Sequence, residues 1–136
     1  MERRSLIDEC IESFKRTGFP FTKFGKLEGK HGIIFDLPFA AEGSMLIHMY
    51  EIDADTMGVN IFDLIPYRFV EKTIRENIIN TVNRKMRKEI LFYNEAACRF
   101  CTSFEMKREN LFGPDVGARV RQLICLLGAQ ILLCFK

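Results

Sequence analysis

The segment from Leu123 to Phe135 is apolar except for Gln130, and it most constrains the fold of this chain. A surface helix of a globular protein normally carries one apolar stripe and one polar face, so a helix that lacks the polar face must be covered on several sides. The segment is short of the roughly 20 apolar residues that span a bilayer. We therefore expect protein to cover it: the rest of the domain, a second copy or a client protein.

The composition is typical of a single globular domain over residues 1–136. The chain is 48% hydrophobic and 28% charged, which places it among neither disordered nor membrane proteins. Its net charge of +2 is too small to indicate nucleic acid as a partner, although residues 66–136 carry most of the basic side chains. No export signal precedes the first amphipathic helix, so we expect a cytoplasmic protein whose five cysteines are reduced.

The spacing of apolar residues predicts nine elements in the order α-β-β-β-β-α-β-β-α. Hairpins dominate, and no glycine-rich β-α-β turn occurs, which indicates an α+β domain with a mainly antiparallel sheet packed by helices. The helices are predicted at about residues 3–16, 66–86 and 118–135, and the strands at 19–27, 32–37, 44–52, 56–62, 89–93 and 98–107.

The final helix is predicted to divide its side chains between the core and a partner surface. We expect the sheet to be closed over by Leu123, Leu126, Leu127, Ile131 and Leu132. Small residues in mid-helix leave a place where another backbone could approach closely. The predicted dimer or partner surface therefore consists of Ile124, Gly128, Ala129, Leu133 and Phe135. The exposed side of helix 66–86 is a second possible docking surface.

Four cations cluster at the predicted end of the second helix: Arg84, Lys85, Arg87 and Lys88. An anionic partner is one interpretation of such a run. The other is that cations at a helix C-terminus interact favourably with the helix dipole, which is sufficient to explain them. Because no RNA-binding motif accompanies the run, we do not expect nucleic acid to be the main partner.

The residues that often carry catalysis or bind metals do not form a recognisable pattern. Cys98 and Cys101 are spaced as in a metal knuckle, but they are predicted to lie on opposite faces of a strand, and no second ligand pair exists. His31 is predicted in a hairpin loop and His48 in mid-strand, and no glycine-flanked serine elbow accompanies either histidine. We therefore predict no catalytic residues, no metal site and no cofactor.

One resemblance to a known family rests on the second half of the chain. A helix ending Asn80-Thr81-Val82-Asn83-Arg84 runs into the hairpin Ile90-Leu91-Phe92-Tyr93 and Arg99-Phe100-Cys101-Thr102-Ser103-Phe104, and a closing apolar helix follows. In this segment and in element order the chain resembles the YbjN family, which shares a fold with the class I chaperones of type III secretion. The resemblance implies a small, often dimeric, non-enzymatic protein that binds or regulates other proteins.

We accordingly expect a cytoplasmic, non-enzymatic protein-interaction module, chaperone-like or regulatory. It would act through apolar surface as a homodimer, with a client or regulatory protein as a further partner and without membrane contact. Two alternatives stay open. One is a small α+β enzyme or ligand-binding domain with a pocket near His48 and Tyr50, and the other is a weak nucleic-acid binder that uses the basic second half.

Overall fold

The computed structural model describes residues 4–19, 23–27, 30–38, 44–62, 71–111, 113 and 115–134. It confirms the α+β class and the predicted element order. The elements are α1 (Leu6–Thr17), β1 (Lys23–Leu27), β2 (Lys30–Pro38), β3 (Ser44–Asp53), β4 (Thr56–Phe62), α2 (Lys72–Met86), β5 (Leu91–Asn94), β6 (Arg99–Lys107), a short 3-10 turn (Arg108–Asn110) and α3 (Val116–Leu133). The predicted helix start at Pro66 lies outside the described residues, and β2 begins early enough to include His31.

The six strands form one antiparallel sheet in the order β1-β2-β3-β4-β6-β5. Its inner face is apolar in register across the strands: Ile33, Met49 and Val59 are paired neighbours and fully buried. Helix α1 packs on β2, β3 and β4 from this side, and α3 packs against α1. Because a slip of one residue would turn this apolar row to the other face, the burial of one face fixes the register.

Arg108 joins three distant segments at one end of the sheet. Its guanidinium donates to the carboxylates of Asp55 at 2.6 Å and Glu9 at 2.5 Å. It also donates to the backbone carbonyls of Arg4 at 2.8 Å and Ala54 at 3.1 Å. The planar fork of arginine suits such simultaneous contacts, so one side chain holds the start of α1 against the β3–β4 turn.

Helices α1 and α3 cross closely at Gly117. A Cβ at this position would lie 2.5 Å from the Ser13 Oγ and 2.8 Å from the Phe14 ring. The Gly117 N–H donates to the Ser13 hydroxyl at 3.1 Å, and that hydroxyl in turn donates to the carboxylate of Asp115. The buried Ser13 therefore connects α1 to the residue that caps α3, and glycine allows the two backbones to approach.

Asn83 closes part of the sheet edge at β5. Its Oδ1 accepts the N–H groups of Ile90 at 3.0 Å and Leu91 at 2.9 Å, and its Nδ2 donates to the Leu91 carbonyl at 3.0 Å. The Ile90 carbonyl accepts from Ser103 on β6, so the backbone groups of Leu91, the next residue, point away from β6. The Asn83 amide therefore occupies hydrogen-bonding positions that a seventh strand would use.

The Asp115 carboxylate should make the stability of the protein depend on pH. The hydrogen bond from Ser13, followed by the one from the Ala118 N–H, lowers the pKa of Asp115 below its ordinary value. A pKa that is lower in the folded state means that the unfolded chain binds more protons, so stability is lost as the pH falls below about 4. We expect Asp115→Asn, which keeps a capping side chain, to show a shallower loss between pH 5 and pH 3, as measured by urea unfolding. Equal pH slopes in the two proteins would contradict this assignment.

Candidate functional site

Helix α3 has a narrow buried stripe and a broad open side. The buried residues recur at spacings of three and four: Gly117, Val120, Ile124, Gly128 and Ile131. This stripe begins two residues after the Asp115 cap, faces α1 and belongs to the buried apolar core. It corrects two predictions, because Ile124 is fully buried and Gly128 faces inward, so neither belongs to an outward surface.

The opposite side of α3 exposes large apolar side chains. Leu126 is 57% exposed and Leu133 is 62% exposed, and Ala129 lies between them on the same side. Leu133 and Ala129 are therefore outward, as predicted, whereas the predicted core position of Leu126 is wrong. Phe135 lies outside the described residues. We call Gln122, Leu126, Ala129 and Leu133, all exposed and spaced four, three and four residues apart, the α3 seam.

Helix α3 is strongly apolar along most of its length. Among the described residues, α3 is the one helix long and apolar enough, by length and composition alone, to cross a membrane: it has 18 residues and a mean hydropathy of 1.4, and 28% of it is buried. Core helices of soluble proteins meet the same criterion, but they are mostly buried. Much of the apolar surface of α3 thus remains uncovered by the described part of the chain.

A shallow apolar groove of about 310 Å³ runs beside the α3 seam, between α3 and β6. Its apolar lining comes from both elements: Leu123, Leu126 and Leu127 on α3, and Phe104 and Met106 on β6. Glu105, Asn110 and Gln130 supply polar groups to the same groove. The groove extends the apolar surface from the helix onto the edge of the inner sheet face.

Helix α2 is a weaker docking surface. Val82 is its one buried residue in the described range, and the helix contacts β5. Ile74 is 48% exposed, but it is flanked on the helix surface by polar residues such as Asn77 and the half-buried Arg75. Arg75 itself stacks on Tyr93, with its guanidinium carbon 4.3 Å from the ring centre. Among the described residues of α2, Ile74 is the one large apolar side chain in an exposed, outward position, whereas α3 exposes both Leu126 and Leu133.

Part of the basic run at the end of α2 has a structural role in the fold. The Lys85 ammonium donates to the backbone carbonyl of Cys134 at 2.8 Å, so it caps the C-terminal end of α3. Arg87 ends α2 in the left-handed conformation, with φ of 56°. Arg84, Arg87 and Lys88 are exposed and line a depression together with Asn80, Asn83 and Glu89. Cations at this helix end also complement its dipole, so their placement requires no ligand.

The cysteine pair is arranged unlike a metal knuckle. Cys98 lies in the turn before β6, with φ of 54°, and Cys101 is buried within β6. Burial raises the pKa of Cys101 to about 11 and that of Cys10 to about 12, so both thiols are protonated at neutral pH. No group of three or more His, Cys, Asp and Glu side chains that could hold a metal ion is found in the part of the chain that the structure describes.

The outer face of the sheet carries the polar residues near His48. His48, Asn60 and Ser103 are neighbours in register on β3, β4 and β6. The Ser103 hydroxyl donates to Asn60 Oδ1 at 2.5 Å, and Asn60 lies between Ser103 and His48. Because adjacent strands are about 4.8 Å apart, the serine and the histidine are two strands distant. These residues do not form a serine–histidine pair for nucleophilic catalysis.

Tyr50 packs against His48 on the outer face of the sheet. Its ring centre lies 5.3 Å from that of His48. The ring also covers Gly58 on β4, where a Cβ would fall 2.2 Å from a ring carbon. The two residues thus pack as part of the sheet surface, with glycine making room for the tyrosine.

Comparison of the chain with protein-family models, curated proteins and solved structures gives no match. The exposed side of α3 and the groove beside it are therefore the candidate functional site of this chain. Hydrophobicity alone does not distinguish Ile124 from Leu126, because apolar residues occupy both sides of α3.

Proposed function

We propose that this protein is a non-enzymatic protein-interaction module of the cytoplasm, chaperone-like or regulatory, whose binding surface is α3. The observation that carries the proposal is the exposure of more than half of Leu126 and of Leu133 on one side of a single helix. Large apolar patches on soluble proteins commonly mark sites where another protein binds. The resemblance to the YbjN family supports the same class of function.

A partner that buries the exposed leucines of α3 would gain free energy from the hydrophobic effect. Complete burial of a leucine side chain is worth about 1.5–3 kcal/mol, so two half-exposed leucines retain a substantial part of that free energy for a partner. The groove of about 310 Å³ between α3 and β6 adds further apolar area beside them. A partner that covers both features would gain burial without having to displace part of this fold.

Charge placed on the α3 seam should abolish binding and leave the fold intact. We expect Leu126→Glu combined with Leu133→Glu to weaken self-association, or the binding of a dye specific for apolar surface, by at least about tenfold. Sedimentation velocity and dye fluorescence measure these two effects. The free energy of unfolding, measured with urea, should stay within about 1 kcal/mol of the wild-type value, because both side chains are exposed.

Ile74→Glu provides the matched control, since Ile74 is also an exposed apolar residue on a helix, at 48%. It should retain the wild-type association and dye binding. The proposal fails if the wild-type protein is monomeric and binds no such dye. It fails equally if the control variant loses binding as completely as the double variant.

A further inference from the structure

We infer that the partner covering the α3 seam is a second copy of this chain, with the two α3 helices packed antiparallel about a two-fold axis. This inference rests on the proposed function, because it names the occupant of the same surface. The spacing of four, three and four residues from Gln122 to Leu133 is that of the a and d positions of a coiled coil. A helix with this spacing presents a continuous seam to another helix.

The sizes of the seam residues favour a particular antiparallel register. In antiparallel pairs, an a residue of one helix faces a d residue of the other. Leu126 then faces Ala129 of the second copy, and the same contact recurs across the axis. A large side chain thereby packs over a small one twice, which is the alternation that closely packed interfaces need. At the two ends, Leu133 of one copy faces Gln122 of the other.

The charges favour the same orientation. From Gln122 to Cys134 the helix carries no charged residue, so the seam does not repel its own copy. Arg119 lies on the same side, one turn before Gln122. Antiparallel pairing places the two Arg119 side chains at opposite ends of the interface, so they do not repel each other. Parallel pairing would instead bring the two Arg119 side chains together.

Single cysteines placed on the seam distinguish the two orientations. In the antiparallel register, Leu133 of one copy lies opposite Gln122 of the other copy. The two Leu133 residues are then about 16 Å apart along the helix axis, because the helix rises 1.5 Å per residue. The background for the test is Cys98→Ser with Cys125→Ser, which removes the two half-exposed thiols. To this background either Gln122→Cys or Leu133→Cys is added.

Under mild oxidation, we expect a mixture of the two variants to form disulfide-linked dimers in yields about tenfold above either variant alone, because a disulfide requires Cα atoms within about 7 Å. The background protein without an added cysteine is the control. Self-linked dimers of each separate variant, without mixed dimers, would overturn the antiparallel arrangement.

Sedimentation and vesicle flotation separate this inference from the proposed function. A monomer at about 100 µM that still binds the apolar dye would exclude the second copy and leave the interaction module standing. A monomer that floats with phosphatidylcholine vesicles would overturn both proposals, since the apolar side of α3 would then serve a lipid surface.

Discussion

Ile124→Ala is expected to destabilise the protein by about 2–5 kcal/mol, the usual cost of truncating a large buried aliphatic side chain. Ile124 is fully buried in the stripe of α3 that faces the core. Truncation removes the contacts of this side chain and leaves a cavity. The cavity stays open because α3 is held against α1 at Gly117 and cannot move to fill it. The free energy of unfolding is measured with urea at about 1 µM protein, a low concentration chosen to limit the proposed self-association.

Leu126→Ala is the matched control, two residues further along the same helix. Because Leu126 is 57% exposed, its truncation should change the free energy of unfolding by about 0.5 kcal/mol or less. The variant should instead weaken the proposed self-association at high protein concentration. Equal losses of stability in the two variants would refute the orientation of α3 described above.

Asn83→Leu is expected to destabilise the protein by about 2–3 kcal/mol, because three hydrogen bonds to the backbone of Ile90 and Leu91 are lost at once. Leucine has a similar size but offers neither a donor nor an acceptor. The variant also uncovers hydrogen-bonding groups on the edge strand β5, and exposed strand edges promote pairing between molecules. We expect slow, concentration-dependent aggregation in addition to the lower urea midpoint.

Asn80→Leu tests whether the instability and aggregation expected of Asn83→Leu come from uncovering the edge strand β5. Asn80 lies on the same helix, one turn earlier, and is exposed. The substitution adds the same apolar side chain to α2 and leaves the contacts of Asn83 in place. It should therefore alter stability by about 0.5 kcal/mol or less and should not aggregate. If Asn80→Leu aggregates as readily as Asn83→Leu, the added hydrophobicity of α2 is responsible, and the edge-closing role of Asn83 is wrong.

The element order and the antiparallel sheet were predictable from the sequence, because the apolar spacing of each element reflects the face that it buries. Alternation places Met45, Ile47 and Met49 on one face of β3, and the structure buries that face. The orientation of α3 was not predictable in the same way, since apolar residues occupy both sides of it. Which side faces inward depends on the Ser13–Asp115–Gly117 contact, a long-range interaction that local spacing does not contain.

The role of Asn83 was likewise not predictable from local spacing. Its position near the end of α2 was visible in the sequence, but its contacts require β5 to lie beside the helix. Lys85 is a further example, because the carbonyl that it binds belongs to Cys134 on another helix. Side chains that bind backbone groups across elements have no periodic signature, so the sequence predicts the elements more readily than the contacts that join them.

The clamp formed by Arg108 has a consequence for the order in which the chain is completed during synthesis. Helix α1 is made well before the residues that hold it, because Arg108 follows Glu9 by 99 residues and Gly117 follows Ser13 by 104 residues. Until then, its apolar face, with Leu6, Ile7, Cys10, Ile11 and Phe14, lacks these late partners. During synthesis, α1 can therefore be held by β2, β3 and β4 alone until residues 108–117 have been made, and incomplete packing of an apolar face at this stage favours wrong contacts.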